Sequence, residues 1–247
     1  MNVQNKKIAI LGAGIEGVSS AIFFKNKGAQ VTVLDQKGPN EIGNDVIEQL
    51  RTLDIKEKFG KDYLVNLTQY DIIVRSPGIK LSTIQEVLPK DSWAKITSQT
   101  KLFFDLCPSQ IIGVTGTKGK GTTATLIYEM LKKSGRDAYL GGNIGKPAFE
   151  FLDQLTQNST VVLELSSFQV QDLTKSPHIG VVLMITSEHL DYHTDVYEYI
   201  NAKRNILRFQ SQNDYAVINR DYLASHESDI YTEGKVYQVS RERGVWE

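Results

Sequence analysis

A single cysteine, Cys107, is all the thiol the chain contains. No internal disulfide can form, so the scaffold of a small disulfide-stapled secreted domain is excluded. An excess of one charge is missing as well. Against 28 Lys and Arg stand 29 Asp and Glu, a net charge of -1. Nothing global would draw the protein to nucleic acid or to an anionic membrane, and a phosphate-bearing ligand has to be held locally. Long apolar runs are absent too. The first, residues 8–11, follows a mostly polar start and stops at Gly12, too short for a signal-peptide core or a membrane span. There is no internal repeat and no low-complexity tract. The chain is 40% hydrophobic and 23% charged, values that argue against disorder. A cytoplasmic monomer without nucleic-acid or membrane partners is expected.

What is present is alternation. Residues 8–11 read as a buried strand. Val18, Ala21, Ile22 and Lys25 then keep helical spacing up to Gly28, a natural helix stop, and residues 31–34 form the next strand. Another strand is expected at 71–74, closed by Ser76-Pro77-Gly78. A second series opens with a strand at 111–115 and a helix carrying Leu126, Ile127, Met130 and Leu131 on one face, ended by Gly135. Later apolar runs at 161–165, 180–185 and 215–218 read as further strands. The pattern predicts an α/β fold with parallel sheets covered by helices. A Rossmann-like nucleotide-binding domain is expected over 1–107. A P-loop-type domain should follow over 108–247, with the break at Cys107-Pro108-Ser109.

Two glycine-rich turns each join a strand to a helix. The first is Gly12-Ala13-Gly14-Ile15-Glu16-Gly17. Its glycines allow a tight turn and a close approach of backbone N–H groups to a diphosphate at a helix N-terminus. Asp35, at the end of the next strand, stands where an acidic residue would meet a ribose. Taken alone this points to NAD or FAD, with other nucleotides and a simple packing turn left open. The second is Gly116-Thr117-Lys118-Gly119-Lys120-Gly121-Thr122-Thr123. Its backbone can cradle phosphates, and Lys120 can reach the β- and γ-phosphates. It departs from the generic P-loop twice. Val114 replaces the leading glycine, and Gly121 holds the place of the Mg²⁺-binding hydroxyl, which leaves Thr122 as the metal candidate. A dehydrogenase has no use for this loop, so ATP chemistry leads.

Further segments carry a resemblance. Gly142-Asn143-Ile144-Gly145, Leu163-Glu164-Leu165-Ser166-Ser167-Phe168-Gln169, Glu188-His189-Leu190-Asp191 and Ala202-Lys203 follow the second loop in order. Together with residues 115–120 they resemble the Mur ligases, ATP-dependent amide-bond ligases of peptidoglycan synthesis. The segment from Leu163 to Gln169 is similar to the D-glutamate-adding branch. The resemblance implies that the first turn (Gly12, Gly14, Ile15, Glu16, Gly17) holds the diphosphate of a UDP-sugar, with Asp35, Gln36 and Lys37 near uracil and ribose. It puts Ser76, Pro77 and Gly78 along the substrate, and Asn143, Ser166 and Gln169 near it. It implies ATP on residues 116–123, with Lys120, Glu164, His189 and Lys203 as catalytic residues. Mg²⁺ would rest on Thr122, Glu164, His189 and a carbamylated Lys203, and Asp191, Tyr192 and His193 would help position the site.

The implied reaction phosphorylates the alanine carboxylate of UDP-N-acetylmuramoyl-L-alanine and lets D-glutamate displace the phosphate. The family has three domains. The chain is expected to break off inside the second, without the third, and to be inactive in ligation by itself. A nicotinamide-dependent oxidoreductase and a non-catalytic nucleotide-binding module remain the alternatives.

Overall fold

The computed structural model describes residues 1–186 and 192–241. The chain forms two compact units, Met1–Leu102 and Phe103–Glu247. The first runs β1 (Lys7–Leu11), α1 (Ile15–Asn26), β2 (Gln30–Asp35), α2 (Pro39–Ile42), α3 (Asn44–Thr52), β3 (Lys56–Phe59), β4 (Ile72–Arg75), α4 (Leu81–Val87) and β5 (Ile96–Ser98). Helix α5 (Gln99–Leu106) carries the chain across the division. The units therefore part inside this helix, earlier than the turn at Cys107-Pro108. Phe103 already belongs to the second unit, where its ring meets Phe151 edge-on at 5.7 Å.

All strand pairs of the first sheet are parallel, in the order β3-β2-β1-β4-β5. The chain reverses its direction of strand addition between β1 and β4. Open parallel sheets bind ligands at such a reversal, beyond the carboxyl ends of the strands. Residues Ile8–Leu11 are fully buried, as expected of a central strand covered on both faces. Ala9, Leu11, Leu34, Ile73 and Ile84 form one side of the core.

The second unit runs β6 (Gln110–Thr115), α6 (Lys120–Lys133), β7 (Ala138–Gly142), β8 (Thr160–Glu164), α7 (Ser167–Val170), β9 (Ile179–Val182), α8 (Val196–Arg208), β10 (Tyr215–Asn219), α9 (Leu223–His226) and β11 (Lys235–Val239). Its sheet is also parallel, ordered β11-β10-β9-β6-β8-β7. Residues Val161–Leu163 are buried, worth about 1.5–3 kcal/mol per side chain.

The face of α6 differs from the one expected. Leu126 and Met130 are exposed, and the helix packs through Ala124, Ile127, Tyr128 and Leu131. That set is a full i, i+3, i+4, i+7 stripe, whereas Leu126 and Met130 make only an i, i+4 pair beside it. No described helix is long and apolar enough to cross a membrane.

Candidate functional site

In the first unit the reversal between β1 and β4 brings the glycine-rich turn against Ser76. The Ser76 amide donates to the Leu11 carbonyl at 2.9 Å. Gly12 has φ +98°, and a methyl group placed on it would lie 2.7 Å from Ser76 Oγ. Only glycine satisfies both the backbone and the approach. Gly14 is the N-cap of α1, Gly17 is buried, Ile15 is 79% exposed, and Glu16 gives its carbonyl to Ser20 and Gln99. Backbone amides and an apolar side chain thus border the turn together.

Asp35 is engaged with the backbone. Its Oδ2 accepts from the Ala13 N–H at 2.7 Å, and its Oδ1 from the Lys37 N–H at 2.8 Å. The carboxylate braces the turn, so any ribose contact shares these oxygens. Burial, and next the charge of Asp35, pushes the Tyr63 phenol up. Gln36 and Lys37 are exposed.

Sequence reasoning passed over Arg75. It is 1% exposed and donates from Nη1 to the carbonyls of Ser76, Pro77 and Ile79 at 3.4, 3.3 and 3.0 Å. A buried guanidinium thus shapes the Ser76-Pro77-Gly78 turn. The available signal was an arginine closing an otherwise apolar strand, where a charge is costly unless paired.

In the second unit the loop from Gly116 to Gly119 leaves the carboxyl end of β6, and Gly119 (φ +84°) caps α6. The positive end of the helix dipole faces the loop. Lys120 folds back, its Nζ donating to the Thr117 carbonyl at 3.0 Å. Thr117 is buried, and its Oγ1 lies 2.9 Å from Tyr199 Oη and accepts from the Thr186 N–H at 3.0 Å. It anchors the loop. Lys118 and Thr122 are exposed, and Thr123 is half-buried.

Glu164, at the end of β8, is 4% exposed. Its Oε1 accepts from Asn143 Nδ2 at 3.0 Å, and the Asn143 N–H donates to the Glu164 carbonyl at 2.9 Å. Its Oε2 faces Gly121; a methyl group placed on that glycine would lie 3.2 Å away. Ser166 and Gln169 form a reciprocal cap on α7, with the Ser166 N–H donating to Gln169 Oε1 at 2.9 Å.

Lys203 is buried on α8, its Nζ donating to the Gly116 carbonyl at 2.8 Å and standing 4.7 Å from the Tyr199 ring centre. Tyr199 is a second residue that sequence reasoning missed. The signal was its place four residues before Lys203, which stacks the two on one helix face. His189, with Glu188 and Asp191, lies outside the described residues. His193 is buried, its Nε2 3.0 Å from Ser167 Oγ and its ring stacked on Phe168 at 5.6 Å.

Lys120, Glu164, Asn143 and Lys203 thus border the second loop, and Thr122 is exposed at the start of α6. Among the described residues no three His, Cys, Asp or Glu side chains gather closely enough to hold a metal ion. The buried Glu164 carboxylate is nevertheless the kind of oxygen donor that a hard cation takes.

Two family models match the chain. The Mur ligase middle domain covers residues 114–245, and the Mur ligase MurD-like N-terminal domain covers residues 6–91. The chain belongs to the Mur ligase family. That membership replaces the oxidoreductase reading of the first turn. The UDP-N-acetylmuramoylalanine--D-glutamate ligase of Acetivibrio thermocellus is 40% identical over 239 residues, 97% of this chain and 51% of that protein. The ligase of the same name from Clostridium acetobutylicum is 38% identical over 98% of this chain and 53% of its own length. The chain spans about half the length of the curated relatives it matches.

Solved Mur-type folds agree at lower identity. One is UDP-N-acetylmuramate:L-alanyl-gamma-D-glutamyl-meso-diaminopimelate ligase from Neisseria meningitides, with TM-score 0.63 and 20% identity, covering 95% of this chain and 78% of that one. A murein peptide ligase from Psychrobacter arcticus gives 0.58 and 16%, covering 95% and 53%. These two establish the fold alone.

Proposed function

We propose that the chain carries the UDP-substrate unit and the ATP unit of a cytoplasmic ligase that adds D-glutamate to UDP-N-acetylmuramoyl-L-alanine. The observation that carries the reading is the pairing of two glycine-rich loops, each at the carboxyl end of the first strand of its own parallel sheet. The names of the two relatives matched over nearly the whole chain support the substrate pair. When bound, ATP with Mg²⁺ supplies the phosphoryl group and offsets the charge gathered around it.

The first unit would hold the diphosphate on the amides of residues 12–17 at the start of α1. The Ser76-Pro77-Gly78 turn, held by Arg75, would line the sugar. In the second unit the amides of residues 116–121 would cradle the ATP phosphates, and Lys120 would turn from the Thr117 carbonyl to the β-phosphate and the transferred γ-phosphoryl oxygens. Glu164 would hold the divalent cation, with Asn143 fixing the carboxylate. Lys203 would serve as its carbamate, formed by the neutral amine adding CO₂ with loss of a proton, which makes a cation into an anionic oxygen ligand. The alanine carboxylate takes the phosphoryl group to form an acyl phosphate and ADP. The D-glutamate amine then attacks the carbonyl, phosphate leaves, and the amine loses a proton as the amide forms.

Calorimetric titration of the 247-residue chain tests this. One site for UDP and one for ADP with Mg²⁺ are expected, and Lys120→Ala should weaken ADP at least about tenfold. NAD bound more tightly than UDP would overturn the assignment of the first unit. ADP affinity unchanged in Lys120→Ala would overturn that of the second.

A further inference from the structure

Gly121 is where this chain departs from the loop chemistry around it. The residue after the loop lysine ordinarily brings a hydroxyl to Mg²⁺. Here it brings only hydrogen, and it does so at a position of the helix start that faces the buried carboxylate. A methyl group on Gly121 would meet Glu164 Oε2 at 3.2 Å, with the Ile144 side chain next at 3.8 Å. A hydroxyl one bond further out would therefore stand in hydrogen-bonding reach of Glu164 and of any cation it holds. Thr122 does not make up the loss. One residue along a helix turns the side chain by about 100°, and Thr122 is exposed, with no hydrogen bond to the described residues around Glu164.

The gap is not demanded by the backbone. Gly121 is not among the glycines with positive φ, unlike Gly116 and Gly119 in the same loop. Any L-residue is sterically allowed there by its own dihedrals, and glycine inside a helix is the less stable choice. Nor is the gap filled by a bulky neighbour. The one tight contact is the far end of the Glu164 side chain, and Asn143 holds only the other oxygen of that carboxylate.

We infer that Gly121 sets the metal affinity of the nucleotide site. Lacking the hydroxyl, the loop leaves one coordination position of the divalent cation to water, and the nucleotide depends on Glu164 for its metal more than a hydroxyl-bearing loop would. The inference rests on the ATP reading of the second unit and deepens it. Mg²⁺ tolerates this arrangement, because it keeps several waters in most protein sites. The consequence is a weaker coupling between cation and nucleotide, which a serine at this position would strengthen.

The experiment is calorimetry of ADP binding to the 247-residue chain, with Mg²⁺ and with chelator, for the wild type, Gly121→Ser, Gly121→Ala and Thr122→Ala. Gly121→Ser should tighten ADP by about tenfold in Mg²⁺ and leave the affinity in chelator unchanged. Gly121→Ala adds the methyl without the hydroxyl and should show no Mg²⁺-dependent gain. Thermal unfolding of each variant separates this from the gain in helix stability that both substitutions bring. Equal affinities for Gly121→Ser and Gly121→Ala, or a loss in Gly121→Ser, would overturn the inference. So would loss of the Mg²⁺ dependence in Thr122→Ala, since the loop would then already own a hydroxyl ligand. No ADP binding by the wild type in Mg²⁺ would instead bring down the ATP reading on which the inference stands.

Discussion

Arg75 shows how much of the substrate side of the molecule hangs on one side chain. It donates to three carbonyls of the turn that presses Ser76 onto Gly12. Hydrogen bonds to a charged group contribute about 1.5–3 kcal/mol, and without the guanidinium the Ser76 carbonyl keeps the Ile79 N–H while all three carbonyls lose their charged donor. Arg75→Met should therefore cost about 2–3 kcal/mol in urea unfolding and weaken UDP binding, with Arg75→Lys between it and the wild type. Unchanged unfolding and unchanged UDP affinity in Arg75→Met would show that the turn holds itself. Thr117 and Asp35 teach the same lesson at two other positions. Their residue types suggested ligand contact, while their hydrogen bonds go first to the protein's own backbone and to Tyr199.

At the scale of the element, α8 links the second loop to the rest of its unit. Its first turn is fixed by Asp195, whose Oδ1 accepts from the Glu198 N–H at 2.8 Å, and by Glu198, whose Oε2 accepts from the Thr194 N–H at 2.6 Å. Burial works to raise the Glu198 pKa, but the hydrogen bonds from Thr194 and the neighbouring His193 outweigh it and hold the carboxyl below its usual value. A depressed carboxylate stabilises the fold above its unfolded pKa, and that contribution is lost as pH falls through the folded value. Asp195→Ala should cost about 1 kcal/mol at neutral pH. The stability gap between wild type and Glu198→Gln should be widest at neutral pH and close on acidification. A gap that widens as pH falls would contradict the sign of the shift.

The elements legible in the sequence were those with continuous apolar runs. Strands β1, β2, β4, β6, β8, β9 and β10 all lie on runs read as strands. Edge strands β3 and β11 were not read, because Lys56, Glu57 and Lys58 or Lys235 and Gln238 break the apolar signal where one side of a strand meets solvent. β5 has only three residues and β7 ends in Gly141 and Gly142, so neither shows a period. Among the candidate site residues, Lys120, Glu164 and Lys203 were named through loop chemistry and resemblance. Arg75 and Tyr199 were not, because what singles out Arg75 is its burial, and what singles out Tyr199 is its burial and its contact with Thr117, 82 residues away.

At the scale of the whole chain, the two parallel sheets each present a glycine-rich turn after their first strand, and each turn opens a helix. The sequence pointed the second turn to ATP through its loop chemistry, and the resemblance gave the first to a UDP-sugar. The family matches follow the same division, a MurD-like N-terminal domain over 6–91 and a Mur ligase middle domain over 114–245. If the assignment holds, each ligand should slow hydrogen exchange at its own loop. UDP should protect residues 12–17 and 76–79, and ADP with Mg²⁺ should protect 114–123 and the segment around Glu164. At a ligand concentration one hundred times Kd, the stabilisation is about 2.7 kcal/mol, which is about a hundredfold in exchange rate for amides that exchange only from the ligand-free form. Amides in β11, at the far edge of the second sheet, should respond least to ADP, since an edge strand opens locally without releasing the loop. Protection of residues 12–17 by ADP and of 114–123 by UDP would reverse the assignment. Protection by both ligands at the same loop would mean that the molecule has one nucleotide site where two are proposed.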